Sequence, residues 1–209
     1  MLTDPINKRF APATERNRDP ILSVLRAHLP ASGTVLEISS GTWQHAAYFA
    51  AQLPHLWWQP TDVGEANLAS IAAWRDEVKV PNLLAPRALD VLDATWWAEC
   101  ETLPEPVSAI VNINMVHIAP WSCCEGLFRG SSQVLRSGDP LLLYGPFKRG
   151  GQHTAPSNSA FDEHLRSQDP RWGVRDLEAV IDTADDRGFE YQTDIPMPAN
   201  NLMLLFRRG

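Results

Sequence analysis

Between residues 35 and 145, short apolar runs alternate with longer segments of helical spacing, and two more apolar runs follow one another directly near the C-terminus. This order constrains the fold more than any other feature. Strands separated by helices pair as parallel neighbours, and two consecutive strands close as a hairpin. The strand-like runs are Val35–Ile38, Leu56–Asp62, Leu83–Val91 (interrupted near Pro86), Val107–Val116 and Leu141–Tyr144, followed by Phe189–Ile195 and Leu202–Arg207. Helical spacing is expected over Ile21–Leu29, Trp43–Leu53, Glu65–Val78, Asp93–Cys100, Trp121–Leu135 and Val174–Arg187. Residues 1–20 are polar and punctuated by Pro5, Pro12 and Pro20, which reads as an irregular arm or lid. Lys148–Ser159 reads as a polar loop. The expectation is an α/β fold: a seven-stranded, mostly parallel, Rossmann-like sheet with a C-terminal antiparallel hairpin and helices on both faces. Residues 21–209 would form one domain behind the arm.

Composition narrows the partners. The 209 residues hold 18 basic and 25 acidic side chains, a formal net charge of −7. Nucleic-acid binding draws its affinity largely from phosphate neutralisation, so a small-molecule partner is expected and nucleic acid is not. No apolar run approaches the ~18 residues of a membrane span, and the segment MLTDPINKRF lacks the apolar core of a secretory signal. The expected setting is cytoplasmic, without a membrane, as a monomer or homodimer. Cys100, Cys123 and Cys124 form neither a disulfide framework nor a zinc motif, so no metal is expected.

Ligands of open α/β sheets bind beyond the carboxyl ends of the strands. The first strand runs into Glu37-Ile38-Ser39-Ser40-Gly41-Thr42-Trp43-Gln44-His45. Small residues there let the backbone approach a ligand at a helix start. The nicotinamide fingerprint G-x-G-x-x-G and the phosphate-loop ending Gly-Lys-Ser/Thr are both absent. The second strand ends at Asp62, whose carboxylate can accept from two ribose hydroxyls or can cap the helix that starts near Glu65. Asp90 and Val91 close the third strand and suit an adenine amino group and ring, or a turn. Asn112 and Asn114 lie within the fourth apolar run and need partners or face a site. Met115 and His117 follow, and His117 reads as lying at the mouth of the site. It suits a general base, a substrate donor or a capped loop residue.

The chain resembles the DUF938 group of methyltransferase-like proteins, which includes the methyltransferase-like 26 type. The resemblance rests on Phe10–Asn17, Leu36–His45, Trp58–Asp62, Met115–Trp121, Leu143–Phe147, His153–Asn158, Trp172–Asp176 and Pro198–Leu202, which together span nearly the whole chain. In that family the turn usually reads Ser-Gly-Thr-Gly-Gln-His, whereas Trp43 stands here in place of the second glycine.

The resemblance implies a class I S-adenosylmethionine binder and adds roles. Asn17, Glu37, Ser39, Gly41, Thr42, Trp43, His45, Asp62, Asp90, Val91, Asn112, Asn114 and Met115 are expected around the cofactor. His117, Tyr144 and His153 are the candidate bases or orienting groups. Arg16, Trp121, Asn158, Phe161, Asp162 and Asn200 are expected near the acceptor. The expected reaction is methyl transfer to a small organic molecule, with S-adenosylhomocysteine as product. Trp43 motivates two alternatives: an enzyme that keeps the pocket without moving a methyl group, and an inactive binding module.

Overall fold

Val35, Leu36 and Ile38 form a continuous apolar run, as strands buried on both faces do. They lie in β1 (Thr34–Ile38), every residue of which is buried. The structure, a computed structural model, describes residues 12–41 and 44–209. Ahead of β1 runs α1 (Pro12–His28). Residues 12–20, expected to be irregular, are therefore helical. Pro12 sits in the first turn, where a missing N–H costs little. Pro20 forgoes one bond inside the helix, and the buried Ile21, Leu22 and Leu25 hold the segment down.

After β1 come α2 (Gln44–Gln52), β2 (Trp57–Asp62), α3 (Glu65–Val78) and β3 (Arg87–Ala88). β3 is much shorter than the expected Leu83–Val91. Pro86 has no N–H to offer a ladder, and pairing upstream is reduced to a single bridge from Leu83 to Trp58. The expected helix at 93–100 is a 3-10 segment, Trp96–Thr102. Then follow β4 (Val107–Ile113), α4 (Trp121–Val134) and β5 (Pro140–Gly145). β4 stops short of Val116 because Asn114 turns left-handed (φ 67°) and a 3-10 turn, Met115–His117, begins.

The polar segment from 148 is not a loop throughout. It carries β6 (Phe147–Arg149), β7 (Gln152–His153) and the first turn of α5 (Pro156–Gln168). The buried residues of α5 are Asn158, Asp162 and Leu165, so the helix shows little hydrophobic periodicity. The last expected helix is trimmed to α6 (Leu177–Asp185) by β8 (Arg175–Asp176), and Asp176 caps it by accepting from the Glu178 N–H. β9 (Phe189–Met197) and β10 (Asn201–Arg208) finish the chain.

The main sheet has seven strands, mostly parallel, in the order β3-β2-β1-β4-β5-β10-β9. β1 and β2 pair in parallel, as do β2 and β3. β10 is antiparallel to both β5 and β9, which gives the expected C-terminal hairpin. A small sheet, β7-β6-β8, stands apart from it. The chain divides into two compact units, Met1–Asp90 with Glu99–Val111 and Val91–Ala98 with Asn112–Gly209. The first is cored by Val35, Leu36, Phe49, Trp58 and Ile71, the second by Leu127, Phe128, Leu141–Leu143, Phe189 and Phe206. No helix among the described residues is long and apolar enough to cross a membrane.

Candidate functional site

In the first unit the ends of β1 and β2 are laced together. The Ser40 N–H donates to the Thr61 carbonyl (2.8 Å), and the Thr61 hydroxyl donates to the Glu37 carbonyl (2.8 Å). The Asp62 carboxylate bridges two turns. Its Oδ2 accepts from the Gly41 N–H (2.9 Å), and its Oδ1 accepts from the Gly64 N–H (2.9 Å) and the Asn67 amide (3.0 Å). Asp62 is thus neither the side-chain cap of α3 nor simply open to solvent; it fixes the turn from which Gly41 projects. A carboxylate oxygen accepts about two hydrogen bonds, which leaves capacity on Oδ2. Ser39 and Gly41 both have left-handed backbone (φ 61° and 60°). A Cβ built on Gly41 meets no described atom within 4 Å.

Glu37 points into the core. Its Oε2 accepts from the Trp58 indole N–H (2.7 Å), and its side chain is fully buried. Burial pushes its carboxyl up to about 8, although the Trp58 hydrogen bond opposes the rise; nearby Asp62 adds to it. At neutral pH Glu37 is therefore mostly a protonated acid that braces β1 against β2.

His45 and Asn17 meet directly: the imidazole Nε2 lies 2.7 Å from Asn17 Oδ1. The ring stacks on Phe49 at 5.5 Å. Burial, helped by the Arg18 charge, pulls His45 down to about 4, so it is neutral and donates from Nε2. Arg16 and Asp90 are exposed. Thr42 and Trp43 lie outside the described residues. A groove of about 470 Å³, lined by Pro54, Trp57, Lys79 and Pro81 among others, lies at the opposite end of β2 from Asp62.

In the second unit, His117 is not at a mouth. It is 0% exposed, pinned because its carbonyl accepts from the Gly173 N–H (2.8 Å) and its Nδ1 from the Arg175 N–H (3.4 Å). Its ring meets Phe147 edge-on at 4.8 Å. A Cβ on Gly145 would sit 2.4 Å from its Nε2. Burial, with Arg175 adding, pulls His117 down to about 3. The Arg175 guanidinium donates to the carbonyls of Val116, Ala119 and Arg171 (2.8, 2.6 and 2.9 Å). That clamp explains why a residue expected at the surface is buried. The guanidinium also lies over the Trp121 ring at 5.7 Å.

Tyr144 is buried within β5, and Asn112 and Met115 are buried too. The Asn114 N–H donates to the Tyr144 carbonyl (2.9 Å), and the Val91 carbonyl accepts from Arg129 (3.1 Å).

The chemistry-bearing groups of this unit converge instead on Asp162 in α5. Its Oδ1 accepts from the Val174 N–H (2.6 Å). Its Oδ2 faces Lys148 Nζ (3.3 Å), His153 Nε2 (3.4 Å) and Arg166 Nε (3.2 Å). Burial would raise Asp162, but the Val174 N–H and the Arg166 and Lys148 cations hold it below the usual carboxylate range. One turn earlier on α5, the Asn158 amide donates to Thr154 Oγ1 (3.1 Å) and to the Asn200 carbonyl (3.0 Å). The Asn200 amide donates back to Ser157 Oγ (3.1 Å). Phe161 is half-buried beside Asp162 in sequence.

The structure thus brings together His153, Asp162, Asn158 and Asn200, and separately Asn17 with His45 and Gly41 with Asp62. Lys148, Arg166, Arg175 and Trp58 escaped the sequence reading as functional side chains. Only Trp58 and Arg175 had a signal, since each lies in a motif of the family resemblance. No group of three His, Cys, Asp or Glu side chains among the described residues could hold a metal ion.

This sheet order, with a parallel core and an antiparallel C-terminal hairpin, is the methyltransferase fold. An O-methyltransferase family 2 protein from Planctomyces limnophilus, solved with apigenin, superposes at a TM-score of 0.76 with 18% identity over 94% of this chain and 58% of that one. The mitomycin 7-O-methyltransferase matches at 0.78 and 12% over 98% of this chain and 56% of that one. The S-adenosylmethionine-dependent methyltransferase SibL matches at 0.73 and 15% over 94% and 55%. The chain spans little more than half the length of these structures. By sequence, the chain belongs to the family described as "protein of unknown function (DUF938)", whose model matches residues 8–208.

Proposed function

We propose that this chain is an S-adenosylmethionine-dependent methyltransferase acting on a small organic molecule. The observation that carries the reading is the turn after β1. Asp62 holds the Gly41 amide in place, Ser39 and Gly41 are left-handed, and no described atom lies within 4 Å of a Cβ built on Gly41. These features fit a ligand with ribose hydroxyls, because Oδ2 retains acceptor capacity and glycine lets a ligand come close to the backbone. Ser39, Gly41 and Asp62 would hold the cofactor, with Asp90 as a further partner at the end of the next strand. The bound cofactor supplies an electrophilic methyl group.

The protein's share is alignment of the acceptor and exclusion of water, plus a base only where the acceptor atom carries a proton. His153 suits an orienting role on the acceptor side: it is partly exposed, but its Nε2 faces the Asp162 carboxylate and its Nδ1 is buried, and His117 and Tyr144 are buried. Asn158 and Asn200 shape the acceptor side by fixing the turn between β9 and β10, and the first turns of α1, which carry Arg16 and Asn17 ahead of the anchored Ile21, serve as part of the lid formed by residues 1–20.

Calorimetric titration of the full chain with S-adenosylhomocysteine tests the reading. Saturable binding that Asp62→Ala abolishes is expected, and no heat at about 1 mM ligand, a ceiling of only ~4 kcal/mol of affinity, overturns it. Release of S-adenosylhomocysteine during turnover separates methyl transfer from other use of the pocket.

A further inference from the structure

Three cationic or potentially cationic groups on one carboxylate oxygen are more than that oxygen can satisfy. An ionised carboxylate oxygen accepts about two hydrogen bonds. Asp162 gives its short contact to the Val174 N–H on the other oxygen, and Lys148, His153 and Arg166 share Oδ2 at 3.2–3.4 Å. These are long distances for charge-assisted bonds, which favour about 2.7–2.9 Å. The donors are therefore in surplus. Lys148 has three N–H groups and Asp162 as its partner among the described residues. Arg166 uses only Nε on Asp162. His153 Nδ1 is buried without a hydrogen-bond partner among the described residues. The Lys148 side chain is only 16% exposed. An ammonium so placed is costly without a full set of acceptors. Fixed lysine and arginine carry two positive charges here against one on Asp162.

We propose that this cluster binds a carboxylate of the acceptor substrate, with Lys148 and Arg166 as its donors beside His153. The proposal rests on the methyltransferase reading for the word acceptor, but the oxyanion site stands on the cluster alone. The residual charge of about one unit, next to a resident carboxylate, suits a monoanion better than a phosphate dianion. Small aromatic or aliphatic acids are the substrate class that follows.

The test is a titration of the full chain with benzoate, followed by two-dimensional amide NMR, with inorganic phosphate as a parallel arm. Saturable millimolar binding of benzoate, with shifts at Lys148, Val174 and neighbours, is expected. Lys148→Met should weaken it about tenfold, as loss of one charge-assisted bond does, and Arg166→Gln serves as a second variant at a more exposed position. Both should bind S-adenosylhomocysteine as the unaltered chain does, which also reports that they are folded. No saturation by benzoate up to about 100 mM, where affinity would be under ~1.5 kcal/mol, overturns the site. So does benzoate binding that neither variant weakens, and tighter binding of phosphate overturns the carboxylate assignment. If benzoate binds and S-adenosylhomocysteine does not, the cofactor reading falls and the oxyanion site stands.

Discussion

Three buried titratable groups set how this protein responds to pH. Glu37 rises from 4.5 to about 8 on folding, so the folded chain holds a proton that the unfolded chain releases. Its contribution is intact below pH 4.5 and is lost as pH rises towards 8. His45 and His117 fall from 6.5 to about 4 and about 3. The unfolded chain binds their protons first, so their contribution is present above pH 6.5 and is lost as pH falls towards 4 and 3. Between 4.5 and 6.5 two groups favour higher pH and one opposes; above 6.5 only Glu37 acts. From these groups, denaturant titrations across pH 5 to 9 should show maximal stability near pH 6.5. Glu37→Gln should flatten the loss above it, a difference on the order of a few kcal/mol by pH 9. An unchanged alkaline limb in the variant would exclude Glu37 as its source. Trp58→Phe removes the indole donor to Glu37 and should destabilise by about 1–3 kcal/mol at pH 6.5.

At the scale of elements, close approach decides more than propensity. β5 passes under the His117 ring with no side chain at Gly145. Gly145→Ala places a carbon 2.4 Å from Nε2 and should cost about 1–3 kcal/mol, read from the denaturation midpoint. Leu142 in the middle of β5 is 0% exposed, and Leu142→Ala should cost about 2–5 kcal/mol. The turn between β9 and β10 is a different case. Ala199 and Asn200 are both left-handed (φ 58°), which asparagine tolerates but which is unfavourable for Ala199 by about 1–2 kcal/mol. Asn158 offsets that by donating to the Asn200 carbonyl, so Asn158→Ala should loosen this turn and raise amide exchange at 199–201.

β1 and β5 were legible in sequence because they are uninterrupted, fully buried runs, and α4 because its buried Cys124, Leu127 and Phe128 recur at helical spacing. α5 was not, because its inward face carries Asn158 and Asp162, and an amphipathic pattern cannot be seen when the buried residues are polar. α1 was obscured by its prolines, which look like breaks in sequence but are tolerated by a helix packed through Ile21 and Leu25.

For the whole molecule, ligand binding should appear as stabilisation. S-adenosylhomocysteine at about 100 times its dissociation constant adds ~2.7 kcal/mol, which for a chain of this size raises Tm by roughly 5–10 °C. Calorimetric scans with and without the ligand read this, and Asp62→Ala should cancel it. The formal charge of −7 does not prevent local cationic sites. Lys148 and Arg166 gather on one helix-and-ribbon surface although the chain as a whole is acidic.

The order of strands and helices from β1 to β5, and the closing hairpin, was in the sequence, because burial on both faces of a parallel strand demands uninterrupted apolar runs and the helices between them keep their own period. The carboxylate-bearing strand end with its small-residue turn was also there, since Glu37, Gly41 and Asp62 follow directly from those runs. What each side chain does was decided by tertiary packing. Asp62 bridges two turns because β1 and β2 lie side by side. Glu37 is a neutral brace because packing buries it completely, which outweighs the opposing Trp58 N–H. His117 is interior because Arg175, 58 residues away, ties down its turn. The grouping of Lys148, His153 and Arg166 around Asp162 depends on contacts between elements, to which the periodicity of any single segment is blind.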